Sequence, residues 1–182
     1  MSTHTKKISS YSIKTKYLTF TSVMSALITI MTAYICHIPV GTNGGYIHFG
    51  DALIYLSAAL LPKPYAICAA AIGGGVADLL TAPMWTLPTV IIKSLLVLSF
   101  TSKTEKIITK RNIFAAIIAY FISTTGYFIA DYILYGTWGV LFISLINNFI
   151  QSFGSAVLFV FIGRTMDQTN IKKDFFKKEY QI

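Results

Sequence analysis

Apolar residues fill the chain in six long blocks, at about 18–38, 47–61, 65–81, 87–100, 113–135 and 140–162, separated by short stretches where Lys, Gly or Pro gather. Blocks one, five and six exceed the roughly 20 residues that cross a bilayer core, whereas two and four are nearer 15. A short block is accommodated when tilt or neighbouring helices cover it. The pattern therefore predicts an all-α integral membrane protein of six transmembrane helices in a single domain, 1–182. Residues 1–17 form an N-terminal tail, 18–162 the bundle and 163–182 a basic C-terminal tail. The cationic start leads straight into a long span without a small-residue cleavage site, so no cleavable signal peptide is expected.

Composition agrees. Of 182 residues, 54% are hydrophobic and 12% charged, half the charge content of a soluble domain, and the mean hydropathy is +0.64. A disordered chain is excluded by this hydrophobicity. A disulfide scaffold is excluded by the cysteine count, because Cys36 and Cys68 stand alone and fit no redox or zinc spacing.

The net charge of +8 acquires meaning from its placement. Of the 15 Lys and Arg residues, only Lys93 falls inside a block. The rest precede the first, lie between the second and third or the fourth and fifth, or follow the sixth. The other three connections carry none. An even number of spans with both termini in the cytoplasm satisfies the positive-inside rule. Trp85, Tyr135 and Trp138 then sit at the outer rim, where interfacial aromatics concentrate. The basic tails read as topology signals that meet anionic membrane lipid, and no nucleic-acid-binding module is present.

Four ionisable residues remain inside the blocks: Asp51, Asp78, Lys93 and Asp131. Such groups are expensive in a bilayer and mark functional sites by default. At about 1.5 Å per residue, Asp78, Lys93 and Asp131 lie roughly 5, 9 and 6 Å below the outer ends of their helices, and Asp51 one turn inside its own. Asn147, Asn148 and Gln151 continue the polar set towards the midplane, and His48 adds a titratable group. A polar pocket open to the outside accounts for this clustering. Packing explanations stand beside it: Lys93 paired with one of the aspartates, Asp51 at the start of its helix, and His48 as an interfacial hydrogen-bonding group. Tyr46, Trp85, Tyr127, Tyr132 and Trp138 offer flat faces to a heteroaromatic ligand. Gly41, Asn43, Gly44 and Gly45, in an uncharged glycine-rich connection above the pocket, are expected to form a lid.

Small residues recur at four-residue spacing on the first helix (Ser22 and Ala26; Ser25, Thr29 and Ala33) and on the third (Ala66, Ala70 and Gly74; Ala69, Gly73 and Ala77). Such stripes permit close helix contact in lipid. No HExxH, phosphate-binding loop or nucleophile elbow occurs, so catalysis, metal and cofactor are not expected, and ATP hydrolysis would belong to a partner.

Three stretches, GGYIHFGDALIYLSAALLP at 44–62, GGGVADLL at 73–80 and PTVIIKS at 88–94, resemble the substrate-binding S-components of energy-coupling factor (ECF) vitamin transporters. The likeness is to the branch assigned to riboflavin, hydroxymethylpyrimidine and pyridoxine-type substrates. It implies a six-helix subunit in a bacterial plasma membrane that captures a vitamin or precursor from outside. That subunit docks on a transmembrane coupling protein with two ABC ATPases and reorients to deliver its cargo. It also implies that Ala26 with Ser22, and more weakly Ser25, Thr29 and Ala33, contact the coupling protein, and that the loop before the second helix closes over the ligand.

Asp78, Lys93, Asp131 and Asn147 are then the leading ligand contacts. Three intramembrane carboxylates against one ammonium suit a neutral or cationic heterocycle such as pyridoxine or hydroxymethylpyrimidine. Riboflavin, pantothenate and a queuosine-type base rank lower. A stand-alone proton-coupled secondary transporter is the competing class.

Overall fold

In the computed structural model, residues 3–35, 37–39, 46–136 and 139–176 are described. They form α1 (Thr3–Ile30), α2 (Asp51–Leu60), α3 (Lys63–Thr81), α4 (Thr86–Ser99), α5 (Lys110–Tyr135), α6 (Gly139–Gln168) and a short α7 (Ile171–Phe176). A π-helical turn, Met31–Ile35, extends α1. A two-residue antiparallel ladder pairs β1 (Ile38–Pro39) with β2 (Tyr46–Ile47). Four helical stretches are long and apolar enough to cross a membrane, and Asp51–Leu60 and Pro83–Ser99 are shorter apolar ones. The two short blocks of the sequence are thus the two short helices. Where the hydropathy pattern ran past the helices, at Ile38, Ile47, Leu61 and Phe100, the chain is extended instead.

Hydroxyl side chains cross the apolar region by bonding back along their own helix. On α1, Thr19, Thr21, Ser22, Ser25 and Thr29 each donate to the carbonyl four residues earlier, at 2.8–3.0 Å. That satisfies a donor which, on the exposed Thr19 and Ser22, lipid could not. Thr29 also donates to the Gly73 carbonyl at 2.9 Å, where α1 and α3 meet closely. A Cβ on Gly73 would lie 2.7 Å from Ile28 Cβ and 2.9 Å from the Ser25 carbonyl oxygen. The small-residue stripe of α3 is therefore a helix contact within this chain. Ser25 and Ala33 are buried, while Ser22 and Ala26 stay exposed.

The interior is built on α2, of whose ten residues nine are buried. Tyr55 stacks on Phe100 with ring centroids 4.9 Å apart, and Phe159 meets both rings edge-on. Large apolar side chains such as Leu87, Phe121, Ile133 and Phe161 stand 61–75% exposed. Exposure on that scale is a liability in water and ordinary against lipid. At one end of the bundle, a 3₁₀ turn at Pro83–Trp85 joins α3 to α4, and α5 stops at Gly136, which takes the left-handed conformation with φ 64°.

Side-chain bonds to backbone fix the opposite end. Asn112 brackets the linker between α4 and α5, accepting from the Thr101 amide and donating to the carbonyls of Thr101 and Ile107. Asp167 accepts from the amides of Ile107 and Ile108 at 2.7 and 2.9 Å.

Candidate functional site

Ion pairing decides where the buried charges go. Lys93 Nζ lies 2.7 Å from Asp51 Oδ1 and 2.9 Å from Oδ2, and both side chains are essentially without solvent contact. Gln151 on α6 donates to Asp51 Oδ2 at 3.2 Å, and its own carbonyl accepts from the His48 amide at 3.4 Å. His48 Nδ1 accepts from the Gly50 amide at 3.1 Å, which leaves the proton of a neutral ring on Nε2. The Lys93 ammonium also stands over the Tyr127 ring, 5.2 Å from its centroid. One compact cluster thus ties α2, α4, α5, α6 and the segment entering α2. An isolated buried charge is costly, and this one has a carboxylate at contact distance and an aromatic face beside it.

Asp51 is the first residue of α2, after the N-cap Gly50, so its carboxylate stands in the first turn of the helix and is at the same time the partner of Lys93 and Gln151. The ion-pair reading of Lys93 is the one the geometry realises, with Asp51 as partner.

A second cluster lies towards the α3–α4 turn. Trp85 meets Tyr127 at 5.9 Å and 61°, and Tyr135 at 6.1 Å. Tyr127 shares a 3.0 Å hydrogen bond with Thr89, and Tyr135 donates to Met84 Sδ at 3.3 Å. Asp78 is buried on α3, within electrostatic reach of Lys93 and Tyr127. Asp131 is buried one turn before Tyr135. Tyr127 belongs to both clusters, with Lys93 across its face and Trp85 at its edge. Trp85 has the Tyr135 hydroxyl beside it, and Thr86 Oγ1 is a buried hydrogen-bonding atom without a partner among the described residues.

The remaining sequence-chosen residues fall as follows. Asn148 is buried and Asn147 half-buried, on the same helix as Gln151. Tyr46 is placed by its backbone alone, pairing with Pro39. Tyr132 is half exposed and outside the cluster. Gly41, Asn43, Gly44, Gly45 and Trp138 lie outside the described residues. Sequence reasoning passed over Thr86 and Thr89, which share the Lys93 face of α4 at spacings of seven and four residues; helical periodicity is the signal that identifies them. Among the described residues no group of three or more His, Cys, Asp or Glu is arranged to hold a metal.

A mostly apolar helical bundle with a buried, charged and aromatic cluster at one end defines a multi-pass membrane protein. The family model of the ECF-type riboflavin transporter S component matches residues 12–168, and the chain belongs to that family. It is a substrate-binding transport subunit rather than an enzyme. A protein of Pyrococcus woesei described as an "Uncharacterized protein in gap 3'region" is 27% identical over 131 residues, which are 70% of this chain and 86% of that protein.

Proposed function

We propose that the chain is the specificity subunit of an ECF-type ABC importer in a bacterial plasma membrane, and that it captures a neutral or cationic vitamin-type heterocycle from outside. Hydroxymethylpyrimidine and pyridoxine are the favoured substrates. Six spans, with both termini cytoplasmic, place the charged and aromatic cluster at the outer end. Delivery depends on a coupling protein and two ATPases, reached through the exposed Ser22–Ala26 face of α1.

The observation that carries this reading is the gathering of Asp78, Asp131, Trp85 and Tyr127 at the end of the bundle where α3, α4 and α5 meet. Flat aromatic faces supply stacking area, and the carboxylates accept from ring N–H and hydroxyl groups. Asn147 and Asn148 provide further amide contacts on the α6 side.

Mass spectrometry of the small molecule that co-purifies with the single chain tests the substrate. Uptake assays test the class: transport only when coupling protein and ATPases are co-expressed is the expected result. Proton-coupled uptake by the chain alone would overturn it in favour of a secondary transporter.

A further inference from the structure

Among the described residues of the pocket end, the Lys93 ammonium is the side chain that ought to attract anions, and its surroundings leave it little to attract them with. Among the described residues, Lys93 and Lys172 are the buried lysines, and Lys172 lies at the other end of α2, on the Ala59 carbonyl. Both carboxylate oxygens of Asp51 are within 2.9 Å of Lys93 Nζ. The Tyr127 ring takes a further side of the ammonium, and the Gln151 amide holds the carboxylate in register from α6. An ammonium with a carboxylate at contact distance presents a dipole, not a net charge, to anything that enters beside it. Asp78, buried on α3, stands within electrostatic reach of the same ammonium.

We infer that Asp51 is a specificity determinant acting through Lys93: by neutralising that ammonium it excludes phosphorylated and other anionic forms of the heterocycle. Asp51 itself needs no contact with the ligand, so it is a positioning residue. The inference rests on the proposed pocket and deepens it, since it assigns the charge class the pocket rejects. A transporter built this way takes up the free alcohol and leaves the phosphate ester outside.

The test compares hydroxymethylpyrimidine with its monophosphate by equilibrium binding to the purified full chain. In Asp51→Asn, which keeps the shape and loses the charge, Lys93 loses the carboxylate at contact distance. The preference for the free alcohol should fall by at least about tenfold, ~1.4 kcal/mol. In Lys93→Met the unpaired carboxylate should move the preference the opposite way by a similar factor. A purely structural role for the pair would weaken both ligands alike and leave the ratio where it is. Ratios within about twofold of the unmodified chain in either folded variant, or shifts in the same direction in both, would overturn the inference.

A parallel measurement separates this result from the choice of substrate. Inorganic phosphate at about 10 mM should raise the melting temperature of Asp51→Asn, and should do so less or not at all for the unmodified chain. If neither heterocycle binds the unmodified chain, the proposed substrate fails while the phosphate response still decides the role of Asp51. Equal phosphate responses in the two proteins would refute it.

Discussion

Lys172, the second residue of α7, donates its ammonium to the main-chain carbonyl of Ala59 at 2.7 Å, at the end of α2 opposite Asp51. The last carbonyls of a helix have no partner within it, and a cation placed on one satisfies both the lone pair and the dipole. The ten-residue α2 is thus held at each end by a lysine from another element, Lys93 at its start and Lys172 at its finish.

Burial pushes the Lys172 amine down to about 8, against a smaller opposing pull from Asp167. The sign of the pH effect follows. Between about pH 8 and the ordinary lysine value near 10.5, the unfolded chain holds a proton that the folded chain has released. Folding is therefore favoured progressively as pH rises through that window, and below it the contribution is constant. The melting temperature of the unmodified chain relative to Lys172→Met should climb from pH 8 to pH 10. A difference that is flat or falls with pH would show that this amine stays protonated. At pH 7, Lys172→Ala should cost about 1–3 kcal/mol, as expected when a charge-assisted bond to a buried carbonyl is lost.

Two acidic residues in the same region should behave differently. Asp167 accepts from two consecutive amides in the α4–α5 linker, so Asp167→Ala strands both donors and should destabilise by about 1–3 kcal/mol. Glu105 pairs with Lys173 at 2.9 Å, but the two side chains are 65% and 49% exposed. Solvent screens that pair, and Glu105→Gln should change stability by less than about 0.5 kcal/mol. Thermal unfolding of the two variants in one detergent gives the comparison.

Glycines offer a test of helix approach. At Gly73 an added Cβ meets Ile28 Cβ and the Ser25 carbonyl oxygen, both parts of α1 that cannot rotate away. At Gly126 it meets Cγ1 and Cδ1 of Ile92, at 2.7 and 2.9 Å, and a rotamer change can move these. Gly73→Ala should therefore destabilise by about 1–3 kcal/mol through separation of α1 and α3, with Gly126→Ala the milder of the two. The reverse order would mean that α1 yields more easily than its bond from Thr29 to Gly73 implies.

Much of this architecture was legible because lipid imposes a length and a polarity on every span. The short blocks at 47–61 and 87–100 became α2 and α4, and the intramembrane charges Asp51, Asp78, Lys93 and Asp131 are all buried. Pairing was not legible. Three aspartates competed for Lys93 in the sequence, and the choice of Asp51 depends on α2 beginning at the depth of Lys93, a consequence of its being only ten residues long. Hydropathy could not show this, since Ile47 is apolar whether it lies in a helix or in the β1–β2 ladder. The small-residue stripe of α1 was not legible as to its partner: four-residue spacing marks contact, but contact with α3 and contact with another protein look the same along the chain. Burial separates Ser25 and Ala33 from Ser22 and Ala26.

Asp131 and Thr86 provide the direct test of the pocket. Asp131 is buried, with Tyr135 one turn beyond it and in contact with Trp85. Thr86, next to Trp85, carries a buried hydroxyl without a protein partner. If a heterocycle lies against Trp85 and Tyr127, both residues are within reach of its substituents. Asp131→Asn retains size and hydrogen-bonding capacity while losing charge, and should weaken a cationic ligand by at least about tenfold, ~1.4 kcal/mol, but a neutral one by less. Thr86→Val preserves shape and removes the hydroxyl. It should leave stability unchanged or raised, because an unpartnered buried polar group is replaced by a methyl, while ligand affinity falls by about 0.5–1.5 kcal/mol for the lost bond. Titration calorimetry with hydroxymethylpyrimidine or pyridoxine measures the second quantity and thermal unfolding the first. Affinity unchanged in both variants would move the ligand away from the α3–α4 turn, towards the α6 side where Asn147 and Asn148 lie.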